Sequence, residues 1–131
     1  MIDHVTIKVT DLERSAAFYE QALLPLGYKR FEGDFDGAVG FGSQHQEDSS
    51  GHLWMFEEGN LKAVSCVHIA FTAHDEEQVT AFFEAALAAG GKDNGAPGMR
   101  PEYGNAYYGA FVLDPDGNNV EATCSVVKLG E

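Results

Sequence analysis

The chain repeats itself. At an offset of 64 residues, His4-Val5-Thr6-Ile7-Lys8-Val9-Thr10-Asp11 lines up with His68-Ile69-Ala70-Phe71-Thr72-Ala73-His74-Asp75. Without a gap, Ala17-Phe18-Tyr19-Glu20-Gln21-Ala22-Leu23 then matches Ala81-Phe82-Phe83-Glu84-Ala85-Ala86-Leu87, and Gly27 matches Gly91. Such a repeat constrains the fold more than any single motif, because each copy must be one supersecondary unit that buries its apolar face against the other. With 131 residues there is room for one core, shared by a first module of about 1–62 and a second of about 63–131 in a single domain.

Each half reads the same way. Val5, Ile7 and Val9 alternate with His4, Thr6 and Lys8, the period of a strand with one core face. Thr10 or Asp11 can cap a following helix, with Glu13 completing a capping box. Leu12, Ala16, Tyr19, Leu23 and Leu26 recur at helical spacing until Gly27, as do Val79, Phe82, Phe83, Ala86 and Leu87 until Gly90-Gly91. Shorter strands follow, predicted over 28–31, 37–42 and 52–57 in the first half and over 105–113 and 119–125 in the second. Asp114-Pro115-Asp116-Gly117 suits a tight turn between the last two. Residues 32–36 and 44–51 read as polar loops, and 92–104, rich in Gly and Pro, as irregular. The result is an α+β class built from two tandem βαβββ modules.

Composition narrows the partners. A net charge of −13 disfavours nucleic acid and anionic membrane surfaces, both of which need a basic footprint. No apolar run approaches the ~20 residues of a membrane span, and the N-terminus lacks an export signal, so a cytoplasmic setting is expected. Cys66 and Cys124 have no C-x-x-C spacing and are expected to be buried free thiols.

Strand parity picks out the chemistry. The apolar sets Val5/Ile7/Val9, Val67/Ile69/Phe71 and Val120/Ala122/Cys124 place His4, His68 and Glu121 on the opposite, non-helix face of three strands. Singly, each is more often a surface or hydrogen-bonded residue. Together, two imidazoles and a carboxylate suit Fe, Mn, Zn, Ni or Co as one divalent ion, and three protein ligands leave positions open for substrate. Arg100, in its Gly/Pro-rich loop, offers a planar fork for a carboxylate or a plain bracing contact. Of Tyr107 and Tyr108, one lines this face while the other packs inward. His74 is expected at a helix cap, and His45 and His52 carry no assignment.

The motifs Ile2-Asp3-His4-Val5-Thr6-Ile7, Val67-His68-Ile69-Ala70-Phe71 and Phe111-Val112-Leu113-Asp114-Pro115-Asp116-Gly117-Asn118-Asn119-Val120-Glu121 resemble the vicinal oxygen chelate superfamily over essentially the whole chain. That superfamily includes glyoxalase I, bleomycin-resistance proteins, fosfomycin-resistance thiol transferases and type I extradiol dioxygenases. The stretch Asp93-Asn94-Gly95-Ala96-Pro97-Gly98-Met99-Arg100-Pro101 is similar to one in small glyoxalase-like members.

The resemblance implies a cupped mixed sheet around a metal held by His4, His68 and Glu121. It implies a homodimer and a metal-dependent, lyase- or isomerase-type reaction on a small oxygenated substrate, with Trp54, Tyr107 and Arg100 shaping the pocket and no base assigned. Glyoxalase I has a fourth ligand, usually Glu, whose position falls on Trp54 or, by rigid offset, on Glu57; an indole there weakens the glyoxalase I reading. The alternatives are a metal-free, bleomycin-resistance-like binding protein, to which the acidic charge suits a cationic ligand, and an Fe(II) extradiol-type dioxygenase.

Overall fold

A computed structural model describes residues 2–43, 51–58 and 67–126. Eight strands and two helices run in the order β1 (His4–Val9), α1 (Leu12–Leu23), β2 (Tyr28–Arg30), β3 (Ala38–Ser43), β4 (His52–Glu57), β5 (His68–Thr72), α2 (Glu76–Ala88), β6 (Lys92–Met99), β7 (Tyr107–Leu113) and β8 (Asn119–Ser125). The repeat is visible in the topology. One mixed sheet has the order β1-β4-β3-β2 and the other β5-β8-β7-β6, so each module pairs its first strand parallel with its last.

The helices begin and end where local chemistry dictates. Asp11 is the N-cap of α1, accepting from Arg14 N at 3.1 Å, and Asp75 does the same for α2 with Gln78 N at 2.9 Å. Gln78 returns the contact by accepting from His74 N. Thr10 does not cap; its hydroxyl donates to Asp116 across the module boundary. A 3-10 turn over Leu24–Leu26 extends α1, and Gly27 at φ 83 closes it, a left-handed conformation that glycine adopts without Cβ strain.

The core lies between the helices and the inner sheet faces. Ala16, Phe18, Tyr19, Leu23, Val79, Phe82 and Ala86 from the helices meet Ile7, Val9, Phe41, Leu53, Met55, Phe71, Val112, Val120 and Ala122 from the strands. Burying a side chain such as Phe82 contributes roughly 1.5–3 kcal/mol. The modules share this core: a Cβ on Gly91 would fall 2.5 Å from Val112 and 2.8 Å from Phe18, so α1 presses directly on the second module. Tyr19 adds a polar tie, donating to Asp114 at 2.6 Å. Among the described residues no helix is long and apolar enough to cross a membrane.

Two expectations need correction. Residues 92–99 form β6 rather than an irregular segment, because the glycines are absorbed as register shifts between Asp93, Gly95 and Gly98 while pairing to β7 continues. Pro97 is tolerated because β6 is an edge strand. In β5 the core set is weaker than its parity suggests: Phe71 is buried, Ile69 is half-buried and Val67 is exposed. Cys124 is a buried free thiol, whereas Cys66, His45 and residues 44–50 lie outside the described residues.

Candidate functional site

Parallel pairing of β5 and β8 sets Ala70 beside Glu121, and antiparallel pairing sets Phe111 beside Glu121 from the other side. Register partners share a face, so His68, Glu121, Tyr107 and Phe111 all stand on the face away from the helices, hereafter the open face. Tyr108, one residue on, packs against the core.

There the side chains of His68 and Glu121 meet. His68 Nε2 lies 2.8 Å from Glu121 Oε1, and the Tyr107 hydroxyl donates to Glu121 Oε2. A carboxylate only accepts, so Nε2 carries the shared proton. The Glu121 side chain is 2% exposed and that of His68 52%, so the carboxylate is a fixed floor and the imidazole its solvent-facing partner. Gly109 makes this possible, since a Cβ there would sit 3.2 Å from Oε2. Burial, reinforced by the Glu121 hydrogen bond, pushes the Tyr107 hydroxyl above its usual range and keeps it a donor.

Arg100 belongs to the same face. Its guanidinium stacks 5.4 Å from the Phe111 ring centroid and donates to Ala96 O at 2.6 Å and Met99 O at 3.3 Å. Part of the fork is thus spent on bracing the glycine-rich β6. Phe111 also lies 6.1 Å from the His68 ring, linking the imidazole to Arg100 through one aromatic plane. Phe111 was not singled out by sequence reasoning, although its parity with Tyr107 and Gly109 would have found it.

The first sheet holds the remaining candidates. His4 is paired in register with His52, and Thr6 with Trp54, so His4, His52, Trp54 and Phe56 share the open face of β1 and β4. Glu57 faces the other way, accepting from Leu12 N at 3.1 Å at the start of α1. It serves a helix N-terminus, where a carboxylate is favoured. His4 is half exposed and its Nδ1 bonds Asp3 at 2.8 Å. It does not join His68 and Glu121: among the described residues no group of three His, Cys, Asp or Glu side chains is poised to hold a metal.

A cleft of about 500 Å³ separates the modules, lined by His4, Val5, Leu53, Ile69, Phe71 and His74 among others, between the outer edges of β1 and β5, which pair with no further strand among the described residues. It does not contain the His68–Glu121 pair.

Two four-stranded mixed sheets from tandem βαβββ modules, with a histidine–carboxylate pair on one open face, define a class of paired-module proteins. A family model described as the Glyoxalase/Bleomycin resistance protein/Dioxygenase superfamily matches residues 1–122, and the chain belongs to that superfamily. A glyoxalase/bleomycin resistance protein from Albidiferax ferrireducens T118 is 28% identical, with TM-score 0.74 over 95% of this chain and 98% of that one. A glyoxalase/bleomycin resistance protein/dioxygenase family enzyme from Burkholderia phytofirmans PsJN is 20% identical, with TM-score 0.71 and the same coverage. A glyoxalase-related enzyme from Fulvimarina pelagi is 23% identical, with TM-score 0.70 over 95% and 88%. The latter two establish the fold alone. No curated protein matches the chain.

Proposed function

We propose that the chain is a metal-dependent glyoxalase-like enzyme whose substrate is a small molecule with two neighbouring oxygens, and that it works as a homodimer. The observation that carries this reading is the buried Glu121 carboxylate held 2.8 Å from His68 Nε2 on an open sheet face. An imidazole nitrogen and a carboxylate oxygen are a fitting donor pair for a divalent first-row ion. Within one chain the set is two ligands, with His4 on the other sheet as the third.

A second copy supplies that third ligand in this proposal. The edges of β1 and β5, which pair with no further strand among the described residues, are flanked by exposed Ile2, Val5 and Val67, an apolar margin that suits a partner of the same kind. A two-fold arrangement can set the first open face of one copy against the second open face of the other, giving each site His4 from one chain and His68 with Glu121 from its partner.

When bound, the metal supplies Lewis-acid polarisation of two substrate oxygens. The chain's own residues do the rest. For His68 Nε2 to serve as a ligand, the ring would carry its proton on Nδ1, a tautomer change that leaves the imidazole neutral. Tyr107, kept neutral, continues to donate to Glu121 Oε2 and holds the carboxylate in one orientation. Arg100, already pinned over Phe111, presents its remaining donors to a substrate carboxyl or carbonyl. Trp54, half-buried on the other open face, forms part of the opposing wall.

The test is a cobalt titration followed by the visible absorption of the bound ion. The native chain should develop saturable bands, whereas Glu121→Gln should show none. Bands that saturate normally in Glu121→Gln contradict the site. If no divalent ion is taken up by either protein, the metal-free binding reading takes precedence, as the mutual satisfaction of His68, Glu121 and Tyr107 would then be their whole role.

A further inference from the structure

Asn94 and Gly95 form the chain's sole Asn-Gly step; Asn60, Asn105, Asn118 and Asn119 are each followed by a residue with a side chain. That dipeptide carries its own chemistry. The backbone nitrogen after an asparagine can attack the side-chain amide carbon, and a glycine there leaves the nitrogen uncrowded and the backbone free to turn. The fold compels the glycine. Gly95 stands at φ 150, and a Cβ on it would lie 2.9 Å from the Phe111 ring and 3.3 Å from Arg100 Nη2. The stacking of Arg100 over Phe111 therefore requires a bare residue at this position.

Asn94 falls in the register shift between Asp93 and Gly95, on an edge strand, and so stands outside the even pairing of β6 with β7. Asp93 and Asn94 are both exposed, which gives water access to the amide. Two hydrogen bonds set the reacting groups. Gly95 N donates to Asp93 Oδ1 at 2.9 Å, a turn that aims the proton of the nitrogen at a carboxylate. Asn94 Nδ2 donates to Asn119 Oδ1 at 3.3 Å, which holds the side-chain amide in place. Comparable positions lack this combination. Asp36-Gly37 and Asp116-Gly117 present carboxylates, poorer electrophiles than an amide, and the Asp116 side chain is 4% exposed and held by Thr10. Asn118 is buried, with its amide donating to Asp114.

We propose that Asn94 is a self-modification site, at which the folded chain converts its own asparagine to isoaspartate and aspartate. Gly95 N bonds to Asn94 Cγ while its proton passes to Asp93. The bond from Cγ to the side-chain nitrogen breaks, and that nitrogen takes up the proton and leaves as ammonia. Water then opens the five-membered imide at either carbonyl: one opening gives aspartate, the other an isoaspartate whose main chain runs through the former side chain. No electrons are transferred and water is the only co-reactant. Either product places a new negative charge on β6 against Asn119, the register partner of His68. The isoaspartate also adds a methylene to the strand on which Arg100 is braced. The step uses no metal, so it stands or fails separately from the metal site.

The experiment holds full-length protein with chelator in mildly alkaline buffer, with and without denaturing urea. Ammonia release is followed beside peptide mapping by mass spectrometry, and isoaspartate is told from aspartate by enzymatic carboxyl methylation. In buffer, the expected result is conversion confined to Asn94, with both products formed, ammonia released in step, and a rate at least equal to that in urea. Asp93→Ala, at an exposed position, should convert about tenfold more slowly in buffer, as befits loss of one charge-assisted hydrogen bond. In urea, where no fixed turn exists, it should match the native chain. Asn94 that stays intact in buffer while the urea sample converts overturns the proposal. So does an Asp93→Ala chain that converts in buffer as fast as the native one, or aspartate formed without isoaspartate.

Discussion

Four donors converge on the buried Asp114 carboxylate: the Tyr19 hydroxyl at 2.6 Å, Asn118 Nδ2 and Asn118 N at 2.8 Å, and Asp116 N at 2.9 Å. Three belong to the turn itself and one to α1 of the other module, so a single side chain both shapes a turn and ties the halves together. Burial, then the nearby Asp114 charge, pushes Tyr19 well above its ordinary 10.0. The neutral phenol is thus favoured in the fold: its contribution is complete below about pH 10 and is lost as the pH climbs from there toward the folded-state value. Tyr19→Phe should cost about 1–2 kcal/mol at neutral pH and flatten the loss of stability above pH 10, measured by denaturant unfolding at pH 7.5 and 10.5. An unchanged alkaline slope would contradict the assignment. At Gly40, by contrast, the consequence is steric, because a Cβ there would lie 2.6 Å from the Trp54 indole. Gly40→Ala should displace Trp54 and cost roughly 1–3 kcal/mol, seen as a shift in tryptophan emission together with a lower denaturant midpoint.

Among the elements, the helices and the first and last strand of each module were the most legible. Their signals are local: period-2 and period-3.6 apolar patterns, an Asp at each N-cap and a glycine at the first stop. Asp11→Ala and Asp75→Ala should each cost about 1 kcal/mol, readable in thermal unfolding, with no effect on ligand binding. β6 was misread because Gly95, Pro97 and Gly98 look like breakers in isolation, while strand pairing with β7 is a tertiary fact that no local window contains. The orientation of Glu57 was undecided for a similar reason. Parity divides β4 into two faces but does not say which is inner, and it takes the Leu53 and Met55 burial and the Leu12 contact to settle it. Phe31 and Phe35 joining Trp54, with ring centroids 5.6 and 5.1 Å away, likewise needed the fold, because the turn that brings them together has no periodicity to read.

At the scale of the molecule, the repeat foretold two modules and parity foretold which histidines share a face type with Glu121. It did not foretell that His68 and Glu121 would touch while His4 would not. Parity assigns side chains to a face of a sheet, and the distance between two sheets is set by how α1 and α2 pack around Phe18, Phe82 and Gly91. The two-chain site makes its own prediction. Mixing equal amounts of a His4→Ala chain and a His68→Ala chain should restore about a quarter of the native metal uptake, since about half of the dimers are then mixed and one of the two sites in each mixed pair is intact. No recovery after exchange of subunits would contradict a shared site.

The central claim is that His68 and Glu121 hold a metal, and it is tested most directly by elemental analysis of the native protein beside His68→Ala after loosely bound ions are removed. The account predicts about one divalent ion per native chain and essentially none in the variant, with far-ultraviolet circular dichroism unchanged because His68 is half exposed. Equal metal in both proteins, or none in either after reconstitution with iron, nickel, zinc, manganese and cobalt, would contradict it.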